Sequence, residues 1–255
     1  MIDERRFDAL AVRVGGDTAE MARDAAEVCA AALHSAIDAR GEANVMLATG
    51  NSQLAFLDEL MRIDGVDWAR VRGFHMDEYV GLPPAHSASF QRYMRERVAA
   101  RAPFMEFHYL TGDAPDPQAE ADRYAGLLRT HPLDVCCAGI GENGHLAFND
   151  PPVADFDDPL DVKIVGLEPA SRRQQVGEGH FASLDEVPTH ALTVTIPAIL
   201  RAGRVLVIVP EARKADPVHA ALYGPVSTAC PASVLRRQPN AVLFLDDASS
   251  ARLAP

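Results

Sequence analysis

Four short segments of this chain carry residue types suited to proton transfer or anion binding. The densest runs from Gly139 to Asp150, Gly-Ile-Gly-Glu-Asn-Gly-His-Leu-Ala-Phe-Asn-Asp. Glycines at 139, 141 and 144 let the backbone approach a ligand closely and place His145 over it. An imidazole titrates near neutrality, and Asn143 and Asp150 stand close enough in sequence to orient it. Together they make a proton shuttle. The same glycines match G-x-G-x-x-G, the dinucleotide fingerprint, which needs its last glycine to open a helix. Here the chain runs into Pro151-Pro152. A residue before proline avoids the α region, so any helix there is a turn at most and the nucleotide reading fails.

The second segment is His75-Met76-Asp77-Glu78, at the end of an expected strand. Ligands of parallel α/β sheets bind at the carboxyl ends of strands, which makes Asp77 a general base and Glu78 a substrate contact. A metal reading with His75, Asp77, Glu78 and His86 ranks lower, because no second cluster has ligand spacing. The third segment, Thr49-Gly50-Asn51-Ser52, turns from a strand into a helix. It offers backbone N–H groups and two hydroxyls to an anion, in effect a phosphate cradle. Its plainer reading is a capped turn. The fourth is Lys214, one of only two lysines, the other being Lys163. It follows a strand and reaches a phosphate as a point charge.

These segments need a scaffold, and the hydrophobic pattern supplies it. Strands are expected at 44–48, 71–75, 106–110, 134–138, 162–165, 191–195, 204–209 and 241–245. Helices are expected at 17–39, 53–61, 89–99, 118–129, near Ala170, from 196 to 202, at 212–222 and after 245. Asp17 or Thr18 caps the first helix, and Ser87 or Ser89 the third. Strand and helix alternate, and several strands are apolar on both faces. That predicts an α/β, Rossmann-like fold with a mostly parallel sheet covered by helices on both sides. One domain spans residues 1–255, and the polar stretch 151–190 reads as a lid.

The 255 residues carry a formal net charge of -12. An acidic chain repels nucleic acid and anionic membrane, so neither is an expected partner. No apolar run approaches the ~20 residues needed to span a bilayer. The first residues show no apolar signal core. The four cysteines form no C-x-x-C pair, and Cys136 and Cys137 should face opposite sides of a strand. Reduced thiols in a cytoplasmic protein are the expectation.

Taken together, the segments resemble the glucosamine-6-phosphate deaminase (isomerase) family, which shares its fold with the 6-phosphogluconolactonases. The resemblance runs from about Asn44 to Leu253. It rests on 47–52, on Met76 to Leu82, on Gly139 to Pro151, on Ala191 to Val194, and on Gly224 to Ser227 through Pro231 to Ser233. Ala-Phe-Asn after His145 fits the deaminase branch better than the Thr-Ala-Ser-Leu-Phe type sequence of the lactonases. The resemblance implies a sugar-phosphate isomerase type of fold, a sugar-phosphate substrate and no metal or organic cofactor. It is compatible with a homo-oligomer. His145 would open the pyranose ring, Asp77 would move a proton from C2 to C1, and ammonia would leave. Thr49, Gly50, Asn51, Ser52 and Lys214 would hold the phosphate, with Gly139 and Gly141 against the sugar. Many members have Asp at the place of Asn143 and Glu at that of Asp150. The family's lid arginine has no clean match, and Arg172, Arg173 and His180 are candidates. Lactone hydrolysis or a non-catalytic sugar-phosphate sensor are the alternative readings.

Overall fold

In the computed structural model, which describes residues 2–177 and 179–254, an eight-stranded sheet forms the middle layer. Its strands are β1 (Asp3–Phe7), β2 (Leu10–Val14), β3 (Ala43–Leu47), β4 (Val71–His75), β6 (Glu106–His108), β7 (Val135–Ala138), β10 (Arg204–Val209) and β11 (Ala241–Leu245), in the order β1-β2-β11-β10-β7-β3-β4-β6. Every neighbouring pair is parallel except β1 and β2. From β3 the chain builds outward to β4 and β6. It then returns to the other side of β3 and builds through β7, β10 and β11. The crossovers therefore leave β3 and β7 in opposite directions. A crevice opens where their carboxyl ends part, which is the binding position of open α/β sheets.

Alternate side chains of the strands fill two separate cores, as period-2 geometry requires. One face packs Val45, Leu47, Cys137 and Phe244 against α1 (Thr18–Arg40), α2 (Leu54–Leu60) and α3 (Phe90–Met94). The other packs Met46, Phe74, Cys136 and Leu243 against α4 (Pro117–Thr130), α6 (Ile196–Leu200) and α7 (Ala215–Tyr223). Cys136 and Cys137 thus lie on opposite faces, and all four thiols are free. No helix among the described residues is long and apolar enough to cross a membrane.

Several expectations need correction. Strands β8 (Val162–Gly166) and β9 (His190–Val194) do not join the main sheet. With β5 (Asp77–Tyr79) they form a separate antiparallel sheet, β5-β9-β8. The β1–β2 hairpin was not expected, because Asp3–Phe7 is a charged, largely exposed edge strand with no apolar alternation. The third helix changes to π geometry over Arg95–Ala99. The chain after Leu245 makes turns rather than a helix. Near Ala170 the helix is α5, Pro169–Gly177.

Asp17 caps α1 by accepting the Glu20 N–H at 2.7 Å, and Gly41 ends the helix in the left-handed region. Removing an N-cap acceptor costs about 1 kcal/mol. Asp17→Ala should therefore lower unfolding free energy by about that amount in urea titration with an unchanged m-value.

Candidate active site

β4 carries the chain into the crevice and is fixed firmly at its end. Tyr124 on α4 donates its hydroxyl to the His75 carbonyl at 2.8 Å, and the His75 N–H reaches the same hydroxyl at 3.0 Å. The His75 ring is fully buried, and its Nε2 accepts the Leu110 N–H at 2.9 Å. Burial pushes this imidazole down to about 3, so it stays neutral and serves as a strut. Two residues on, the chain enters β5, where successive side chains point to opposite sides. Asp77 faces the cleft. Glu78 does not line it. Its carboxylate accepts hydrogen bonds from the N–H groups of Tyr79, Phe90 and Gln91 and from the Ser89 hydroxyl. Burial raises this carboxyl even against those four donors. The expectation that Glu78 contacts substrate is corrected: it ties β5 to the start of α3. With His75 and Glu78 occupied in this way, the metal reading loses two of its ligands.

Asp77 is 6% exposed, and its Oδ1 finds no hydrogen-bond partner among the described residues. Burial, with a smaller contribution from the neighbouring Glu78 charge, raises its carboxyl to about 8. A desolvated carboxylate without a cation beside it is a strong base.

The loop after β7 carries the second reactive group. Gly141 lies directly beneath the His145 ring. A Cβ there would sit 2.1 Å from Cε1, so only glycine permits the packing. Gly144 adopts a φ of +82°, and a Cβ on it would stand 2.7 Å from Cys230 Sγ. The space these two glycines leave is filled by protein, not directly by ligand, although Gly139 and Gly141 do line the cleft. Nδ1 of His145 lies 2.7 Å from Asn143 Oδ1 and 2.9 Å from Asp150 Oδ1. Asn143 donates Nδ2–H to the same Asp150 oxygen at 2.8 Å. The amide is thereby oriented, and the imidazole proton is placed on Nδ1, with Nε2 left for the cleft. Ser171 on α5 donates to Asp150 Oδ1 at 2.5 Å and lies 3.3 Å from His145 Nδ1. Burial would raise the Asp150 carboxyl, but the bonds from His145, Asn143 and Ser171 outweigh it and hold the group below its ordinary value. Asn143 and Asp150 do not line the cleft. They are positioning residues for His145 rather than groups that touch a ligand.

The remaining wall comes from three other elements. Thr49, Gly50 and Ser52 line the cleft after β3, and Gly50 turns at a φ of +106°. Gln53 fastens this turn to β10 by donating to the Ile208 carbonyl at 3.1 Å. Lys214 reaches the cleft from a 3-10 turn after β10 and is only 3% exposed, so it is no ordinary surface lysine. Lys163, the other lysine, bonds the Val153 carbonyl and pairs with Asp158 at 2.8 Å, away from the site.

Four further expected contacts fall outside the wall. Asn51 is exposed and absent from the lining. Arg172 bonds the carbonyls of Leu184 and Val187 and holds its own segment together. His180 does not line the cleft, and Arg173 is exposed on the outer side of α5. Sequence reasoning missed Phe90, Phe148, Gln174 and Gln175 in the lining and Ser171 behind it.

A family model described as glucosamine-6-phosphate isomerases/6-phosphogluconolactonase matches residues 16–244. The chain belongs to this family. A glucosamine-6-phosphate deaminase of Exiguobacterium sp. (strain AT1b) is 34% identical over 236 residues, 92% of this chain and 91% of that protein. One of Bacillus thuringiensis (strain Al Hakam) is 38% identical over 200 residues, covering 78% and 74%. The solved structure of a monomeric glucosamine-6-phosphate deaminase superposes with a TM-score of 0.86 at 28% identity, over 94% of this chain and 98% of that one. A 6-phosphogluconolactonase of Trypanosoma brucei reaches 0.76 at 18% identity, covering 99% and 100%, a likeness of fold alone. The conserved architecture of the glucosamine-6-phosphate isomerase/6-phosphogluconolactonase family thus accounts for the parallel sheet and the place of its crevice.

The raised Asp77 carboxyl links to stability. Burial penalises the charged form, so the cost is absent below about 3.8 and grows as pH rises toward about 8. Asp77→Asn removes that cost. Its melting temperature relative to wild type should climb between about pH 4 and about pH 8 and level off above. A constant difference across thermal melts in that window would contradict the burial account.

Proposed function

We propose that this protein is a glucosamine-6-phosphate deaminase, converting glucosamine 6-phosphate and water to fructose 6-phosphate and ammonia. The observation that carries the reading is the pairing in one cleft of a buried carboxylate, Asp77, with an imidazole whose Nδ1 is fixed by Asp150. The family membership and the named relatives support the same activity.

The substrate's phosphate sits against Thr49, Gly50 and Ser52 and the Lys214 ammonium, the one Lys or Arg charge on the cleft wall among the described residues. His145 Nε2 takes the proton of the anomeric hydroxyl and returns it to the ring oxygen, opening the pyranose. Asp150 and Asn143 stabilise the imidazolium that forms in between. The open-chain sugar then presents its C2 hydrogen to Asp77. Its ammonium, brought beside a carboxylate with no partner, favours the charged form of Asp77 and so prepares the base. Asp77 removes the C2 proton while the ammonium gives up a proton and the C1 oxygen gains one, which yields an enolamine; Asp77 then delivers its proton to C1. Water adds to the resulting imine at C2, and ammonia leaves with the ketose formed. The proton transfers of ring opening and of isomerisation each employ a residue of the cleft, His145 and Asp77.

Within the segment 151–190, α5 brings Gln174 and Gln175 to the wall of this site and acts as its cover. Free thiols throughout the chain support a cytoplasmic setting.

Purified protein given glucosamine 6-phosphate should release ammonia and fructose 6-phosphate in equal amounts. Because the free enzyme's base sets the acidic limb of kcat/KM, that limb should lie far above the ordinary aspartate range, rising through about 8. A profile already flat at about pH 5 would show that Asp77 is not the titrating base. Turnover of 6-phosphogluconolactone in place of the amino sugar would favour the lactonase reading.

A further inference from the structure

α5 brings a further polar group to the cleft. Gln175 lines it and is only 7% exposed, yet its Oε1 has no hydrogen-bond partner among the described residues. The adjacent Gln174 is different, because its Oε1 accepts the Glu142 N–H at 3.3 Å. Buried amide oxygens in folded proteins are nearly always paired, and an unpaired one weakens the fold. An acceptor left open on the wall of a binding cleft is completed by a donor on the ligand.

The choice of donor follows from the other groups on the wall. An amide oxygen only accepts, so it repels the phosphate, which has Thr49, Ser52 and Lys214 for partners. The anomeric end belongs to His145. The ammonium at C2 goes to Asp77, the one carboxylate lining the cleft among the described residues. The donors that remain on an amino-sugar phosphate are the hydroxyls between the reacting carbons and the phosphate.

We propose that Gln175 is a specificity-determining residue whose amide oxygen accepts a hydrogen bond from the C3 or C4 hydroxyl of the substrate. This rests on the deaminase reading of the cleft. The assignment explains why the covering helix presents a polar side chain where an apolar one would pack more stably. It also makes substrate recognition depend on α5, the same helix that brings Ser171 to the His145–Asp150 pair.

Binding is measured by calorimetry with Asp77→Asn present in every titrated protein, so the ligand is not turned over. The protein with Gln175 intact (wild type at that position), Gln175→Met and Gln175→Leu are each titrated with glucosamine 6-phosphate and with its 3-deoxy and 4-deoxy analogues. Ammonia release by the protein with Asp77 intact reports separately on the deaminase reading. Wild type should bind the parent sugar about tenfold more tightly than one of the analogues. Both variants should lose that preference and bind the parent about tenfold more weakly than wild type does. The free variants should melt no lower than wild type, because an unpaired acceptor has been replaced by an apolar group of similar size. The proposal is overturned if the variants keep the wild-type preference, if they lose affinity equally for all three sugars, if wild type shows no preference, or if the free variants melt lower.

Discussion

A carboxylate kept from water, its Oδ1 with no hydrogen-bond partner among the described residues, is the constraint around which this site is organised. Left to itself, Asp77 would turn toward solvent or recruit a cation. It does neither, because the strand that carries it is fixed on both sides. Tyr124 and the Leu110 N–H hold His75 just before it. Glu78, just after it, is bound by three donors at the start of α3 and by the Tyr79 N–H. Strand alternation then sends these two adjacent carboxylates to opposite sides. One becomes structural, and the other remains as the single acidic group on the cleft wall among the described residues.

His145 is managed in the opposite way. Its Nδ1 has more partners than it needs, since Asn143, Asp150 and Ser171 all lie within 3.3 Å. The departures from the common family pattern can be judged on this geometry. Asp150, although one methylene shorter than glutamate, reaches the ring at 2.9 Å. Asn143 cannot add negative charge, but its amide links ring and carboxylate, with oxygen toward the one and nitrogen toward the other. The negative charge behind the imidazole therefore comes from Asp150 alone.

Much of this was legible in the residues. Apolar runs located β3, β4, β6, β7, β10 and β11 of the main sheet, though not β2. Pro151-Pro152 removed the nucleotide reading, and strand-end logic placed Asp77, the 49–52 turn and Lys214 at one crevice. The errors share a physical cause. Glu78 was misread because β5 pairs with β9, more than a hundred residues later in the chain, and without that pairing no face could be assigned to either carboxylate. Arg172 looked like a phosphate ligand because its true partners are main-chain carbonyls, which no sequence pattern announces. Gln174 and Gln175 passed unnoticed because a polar pair on a short helix normally faces water. Only the docking of α5 over the cleft buries one of them.

The central claim is that Asp77 carries a proton between the two carbons of the substrate. Hydrogen exchange at C1 of fructose 6-phosphate in deuterated water, followed by NMR with ammonia present, tests it most directly. Wild type should introduce deuterium at C1. Asp77→Asn should do so at least ~10³-fold more slowly, while still binding the sugar phosphate. Exchange by Asp77→Asn at the wild-type rate would contradict the account.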